Sequence, residues 1–164
     1  MVSGVSKAFT KDEGPEVSPV LRRRAPLPED TPNYVTSRGL RALRDELAEL
    51  DAARSSFEGP EARAAWRSEL EHRIATAVVT PPPEHRDEIR LGATVRVQDA
   101  EGKARQLQIV GVDEADATRG LVAFTAPLAR ALLGRRVADV VGVRRPGGED
   151  ELTIVGVVYD VGQG

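Results

Sequence analysis

The chain has 164 residues, enough for one moderate core or for a small domain with an extended arm. A net charge of −3 with acids and bases interspersed leaves no basic stripe for free nucleic acid, and one Trp, two Tyr and three Phe are too few for a base-stacking platform. The lack of cysteine excludes disulfides, thiolate zinc sites and a thiol nucleophile. No apolar run is long enough for a signal peptide or a membrane span, so the expected setting is cytoplasmic with no membrane partner.

Residues 1–33 hold Pro15, Pro19, Pro26, Pro28 and Pro32 with balanced charge and little periodicity. Such a segment buries too little apolar surface to offset its ordering entropy, and a disordered or extended tail is expected. Arg22-Arg23-Arg24 reads as a solvated basic cluster whose field is weakened by nearby Glu29 and Asp30, with a phosphate or acidic-surface contact as the alternative. Residues 34–79 read as a helical hairpin. Leu40, Leu43, Leu47 and Leu50 recur at helical spacing over 36–57, with Thr36 or Ser37 supplying the N-cap oxygen. Phe57-Glu58-Gly59-Pro60 interrupts the pattern, and Ala62, Trp66, Leu70, Ile74 and Ala77 resume it to about residue 78. Two helices joined this closely must be antiparallel, each about 30 Å long at ~1.5 Å per residue.

Pro81-Pro82-Pro83 opens a stiff linker over 80–90, after which the period changes to that of strands. Runs at 94–98, 104–112, 120–125, 140–144 and 152–158 are expected strands, with turns at Asp99-Ala-Glu-Gly102 and Pro146-Gly-Gly148. Between the third and fourth lies Thr125-Ala-Pro-Leu-Ala-Arg-Ala-Leu-Leu-Gly134, a short helix opened by Pro127 and closed by Gly134. The expected class is α+β: the hairpin, then a mostly antiparallel β domain over 91–160 carrying one short helix.

Some apparent motifs dissolve on inspection. Asp113-Glu-Ala-Asp116 spells a helicase box, but the chain has no phosphate loop, and a turn between strands is expected there. His72 and His85 lack cysteine neighbours, so no metal site is expected; His72 should lie on a helix flank and Trp66 between the helices.

Two stretches, Ile109-Val-Gly-Val-Asp-Glu-Ala-Asp116 and the Thr125–Gly134 run, resemble the carboxyl-terminal signature of the Gre transcript-cleavage and elongation factors. Thr36, Gly39, Leu43, Glu46 and Leu47 are similar to that family's opening Thr-x-x-Gly-x-x-x-Leu-x-x-Glu-Leu, and Ser6-Lys-Ala-Phe-Thr-Lys11 to the start of its GreB-like members. The resemblance implies an FKBP-like second domain. It also implies RNA polymerase as partner, bound at the secondary-channel rim, with nucleic acid met only through that complex. The matching rim positions are Thr125, Ala126, Pro127, Leu128 and Arg130. Ala126 replaces the family's serine, a lost hydroxyl cap worth roughly 1 kcal/mol unless Thr125 supplies the oxygen.

In the family, carboxylates at the hairpin tip help hold a magnesium ion and its attacking water in the polymerase. Acidic oxygens suit a hard ion that lowers the pKa of bound water. The family's Asp-Leu-x-Glu-Asn-Ala-Glu-Tyr tip is missing here. The tip reads Ser56, Phe57, Glu58, Gly59 and then Glu61, with Asp51 two turns back, and an FKBP-like isomerase pocket lacks its aromatics beyond Phe124 and Tyr159. The expectation is therefore a non-enzymatic, cofactor-free elongation factor with little cleavage stimulation. The alternatives are an active cleavage factor using Glu58 and Glu61, or an interaction module like the truncated Rnk-type relatives that regulates a metabolic enzyme.

Overall fold

The computed structural model describes residues 24–52 and 59–160. Strand β1 (Asn33–Val35) leads into helix α1 (Ser37–Ala52), and helix α2 (Pro60–Ala75) returns into strand β2 (Ala77–Val79). The hairpin is thus present, with helices of 16 residues, about 24 Å each at ~1.5 Å per residue. The second helix ends short of its expected bound near residue 78. Residues 53–58 lie outside the described part, and the chain leaves α2 at Thr76, whose hydroxyl donates to the His72 carbonyl at 2.8 Å.

Leu43, Leu50 and Leu70 are buried between the helices, with Leu47, Trp66 and Ile74 packed against them. Thr36 rather than Ser37 caps α1, its hydroxyl accepting from the Gly39 amide at 3.0 Å. His72 is exposed on α2, as the helical spacing requires.

Below the hairpin, β1 and β2 pair in parallel, Asn33 opposite Ala77 and Val35 opposite Val79. This ribbon is a departure from the sequence reading, which ran the second helix to residue 78. Val78 and Val79 are β-branched and follow a closed helix end, so the extended ladder wins over helix propagation. Asn33 ties ribbon to hairpin by donating to the Arg73 carbonyl at 3.0 Å, one of the orphan carbonyls at the end of α2.

The second unit is a five-stranded sheet in the order β5-β4-β3-β7-β6, built from β3 (Ala93–Asp99), β4 (Ala104–Val110), β5 (Leu121–Ala123), β6 (Val140–Arg145) and β7 (Gly148–Tyr159). Only the β4–β5 pair is parallel, so the α+β class holds. Ala93, Val95 and Val97 alternate inward along β3 and meet Leu107, Ile109, Leu152 and Ile154. The β3–β7 register shifts between Arg96 and Val97, a bulge that bends the sheet around its core. Pro146-Gly147 joins β6 to β7 in a two-residue turn, Arg145 pairing with Gly148.

Helix α3 (Pro127–Leu132) closes one side of that core with Ala129 and Leu132 fully buried. Gly134 follows at φ 80°, a left-handed conformation that glycine adopts freely, and its amide donates to the Ile89 carbonyl at 2.8 Å. Ile89 itself is fully buried in the domain core. Tyr159 pins the same segment: its hydroxyl accepts from the Arg90 amide at 2.8 Å and donates to the Glu88 carbonyl at 2.5 Å.

Burial pushes the Tyr159 hydroxyl above its ordinary pKa of 10.0, with the Arg90 amide pulling the other way. An acid whose folded pKa is raised stabilises the fold fully below its unfolded value and loses that contribution as pH climbs through the folded one. Tyr159→Phe is expected to lower stability by about 1–3 kcal/mol at neutral pH, because two backbone groups lose their partner. It should also flatten the decline in melting temperature above pH 10, which thermal melts of both proteins at pH 8 and above would show.

Candidate functional site

Of the five rim positions, Pro127 and Arg130 are exposed, while Thr125, Ala126 and Leu128 are half-buried. They sit at the start of α3, where β5 ends. No side-chain oxygen caps this helix, so Thr125 does not replace the absent serine hydroxyl. Leu128 and Leu133 pack against the sheet core, leaving Pro127 and Arg130 as the outward-facing pair. Beside them opens a cleft of about 430 Å³ lined by Tyr34, Ile89, Phe124 and Leu133 among others. Tyr34 meets Phe124 edge-on, ring centres 5.7 Å apart, so the ribbon and the domain share this apolar wall. Thr80, Glu88 and Arg90 supply the polar part of the cleft's lining.

Of the expected tip residues, Ser56, Phe57 and Glu58 lie outside the described residues, as do Arg22, Arg23 and the Ser6–Lys11 stretch. Gly59 is exposed at φ 86°, and Glu61 is exposed in the first turn of α2. Asp51 pairs with Arg67 at 2.5 Å, tying the two arms together near their outer end. Among the described residues no group of three His, Asp or Glu side chains could hold a metal ion, and no helix is long and apolar enough to cross a membrane.

The joint between hairpin and sheet domain is the feature that sequence reasoning missed. The segment expected to be a plain turn begins with a 3₁₀ turn, Val112–Glu114, whose two acids point back at the hairpin root. Glu114 accepts from the Thr36 hydroxyl at 2.5 Å and from the Thr36 and Gly111 amides, both at 3.2 Å. A Cβ on Gly39 would lie 2.3 Å from the Glu114 carboxyl carbon, so only glycine leaves room for this contact. Gly111 is confined as well, since a Cβ there would meet the Tyr34 carbonyl oxygen at 2.7 Å.

Asp113 has a side chain only 2% exposed and faces two arginines, Arg24 at 3.0 Å and Arg73 at 3.7 Å. Arg24 also pairs with Glu46 of α1, and its guanidinium lies 5.3 Å from the centre of the Trp66 ring on α2. The expectation of a solvated Arg24 is therefore corrected: its side chain is 8% exposed, because two carboxylates and an indole face replace the water it gives up. Burial pulls the Arg24 pKa down, but Glu46 and Asp113 more than offset it and hold it above its ordinary value. Arg73 completes the cluster, donating to Glu69 at 2.8 Å and to the Ala25 carbonyl at 3.1 Å. The one signal in the sequence was the pairing of two adjacent acids with a glycine in the first turn of α1.

Comparison with known proteins fits this layout. Residues 83–159 match the model of the C-terminal region of the GreA/GreB transcription elongation factors. The chain is 43% identical over 116 residues to transcription elongation factor GreA of Anaeromyxobacter sp. (strain K), covering 70% of this chain and 68% of that protein. It belongs to the GreA/GreB family. Transcription elongation factor GreB of Neisseria meningitidis serogroup A is 32% identical over 160 residues, covering 79% of this chain and 96% of that GreB. The crystal structure of GreA factor homolog 1 (Gfh1) of Thermus thermophilus is 25% identical, covering 78% of this chain and 99% of that one, at a TM-score of 0.41. Membership corrects one expectation. GreA and GreB factors stimulate endonucleolytic transcript cleavage by RNA polymerase, so classing this chain as a non-enzyme from its hairpin sequence is overturned by these relatives.

Proposed function

We propose that this Gre-family chain binds RNA polymerase in the cytoplasm and modulates elongation from the secondary channel. The sheet domain seats on the rim through Thr125, Ala126, Pro127, Leu128 and Arg130, and the hairpin points inward. The observation that carries this reading is the match to a GreB over 96% of that protein, which takes in hairpin and domain together. The exposure of Pro127 and Arg130 beside the Tyr34–Phe124 notch supports it, since exposed residues held on a rigid scaffold are where contacts reside.

The second half of the proposal concerns depth. The match to that GreB runs over 160 aligned positions but takes in 79% of this chain, so roughly 30 of its positions face no residue here; as two shorter arms at ~1.5 Å per residue, the tip would withdraw by about 20 Å. No side chain spans that gap. Glu58 and Glu61 would then assist the polymerase magnesium less than a full-length tip does, and cleavage stimulation would be reduced.

Binding to core polymerase tests the first half. The chain should compete with a GreB, and Pro127→Ala with Arg130→Glu should weaken binding at least tenfold, about 1.4 kcal/mol, while leaving the melting temperature unchanged. Absence of competition would end the proposal. RNA release from stalled complexes tests the second half, where a yield equal to that of a GreB would rule out the withdrawn tip.

A further inference from the structure

We infer that Arg24, in the arm preceding the hairpin, is a positioning residue that braces the hairpin at one angle to the sheet domain. The contacts of Thr36 and Gly39 with Glu114 lie at the root of α1 and act as a pivot. Glu46 is ten residues further along, roughly 15 Å from that pivot at ~1.5 Å per residue. A restraint at that distance resists rotation of the helix far better than one at the root. Arg24 supplies it by joining Glu46 of α1 to Asp113 of the domain while lying over Trp66 of α2.

Both arms and the domain therefore meet on one guanidinium. Its fork geometry matters, because one terminal nitrogen goes to Asp113 and the other to Glu46. The Arg24 Nε is buried without a partner, so the side chain is placed for these two carboxylates at the expense of its third donor. A lysine has one ammonium and cannot span both acids with the same geometry. The consequence for elongation rests on the proposed polymerase reading; the brace itself does not.

The absence of cysteine from the whole chain makes the test direct. Spin labels at Ala64→Cys on α2 and Arg144→Cys on β6, both exposed positions, report the hairpin–domain distance by pulsed electron resonance. The full chain should give one narrow distribution. Arg24→Met, which keeps a stem over Trp66 but no fork, should shift or broaden it with helicity by circular dichroism unchanged, and Arg24→Lys should fall between. An unchanged distribution in Arg24→Met overturns the brace. Loss of helicity overturns it too, by making Arg24 a requirement for folding the hairpin.

With core polymerase, Arg24→Met should compete with a GreB as the unaltered chain does, because the rim residues are untouched, yet lose its effect on elongation rate. Equal loss of binding and effect would contradict positioning. If the unaltered chain itself fails to bind polymerase, the proposed function falls while the label distances still decide the brace.

Discussion

Asp113→Ala is expected to lower the unfolding free energy by about 3–5 kcal/mol, the range found when one member of a buried ion pair is removed. The carboxylate is 2% exposed between guanidiniums that are 8% and 6% exposed. Deleting it leaves two cations facing each other where water cannot replace the lost charge. Glu46 and Glu69 remain as partners of Arg24 and Arg73, which places the loss toward the lower end of that range. Asp51→Ala is the natural control. That acid pairs with Arg67 at 2.5 Å, but it is 43% exposed, and such surface pairs contribute at most about 1 kcal/mol. Urea denaturation of both variants measures the contrast. Equal, small losses would show that the joint is held by something other than its ions.

Gly39→Ala should run against the usual rule. In an exposed helix, alanine is favoured over glycine by about 1 kcal/mol. Here the new methyl group would fall 2.3 Å from the Glu114 carboxyl carbon and 2.7 Å from its Cγ. Glu114 would have to leave, abandoning the Thr36 hydroxyl and the amides of Thr36 and Gly111. Hydrogen bonds to a charged group are worth about 1.5–3 kcal/mol each; the displaced carboxylate regains water and alanine adds its helix preference, which together bring the expected net loss down to roughly 2–4 kcal/mol. Pairing Gly39→Ala with Glu114→Ala gives a double-mutant cycle, and most of the glycine's cost should vanish once the carboxylate is gone. A stabilised single variant would refute the close approach.

Much of the architecture could be read from local pattern. The Leu43–Leu50 stripe, Trp66 on its partner, the alternating valines of β3 and the Pro146-Gly147 turn each depend on neighbours a few residues away, and each appears where its spacing placed it. The joint could not be read that way. Arg24 and Asp113 are 89 residues apart in the chain, and neither type carries a periodic signal. An arginine among prolines reads as solvated unless its acids are known to be near. The β1–β2 ribbon was hidden for a related reason, since three-residue strands are too short to show alternation and their partners lie on opposite sides of the hairpin. In α3, Pro127 and Arg130 were visible as residues, but their exposure only becomes evident once Leu128 and Leu132 have taken the inward face.

The long span between Arg24 and Asp113 also dictates an order of events during synthesis. Leu43, Leu50 and Leu70 lie close together in the chain and can assemble soon after they emerge from the ribosome. The arginine must wait for an acid that follows it by 89 residues, roughly 5–20 s later at ordinary translation speeds. Throughout that interval the nascent hairpin is a rod without a heading. Its aim is set only when the domain behind it begins to close.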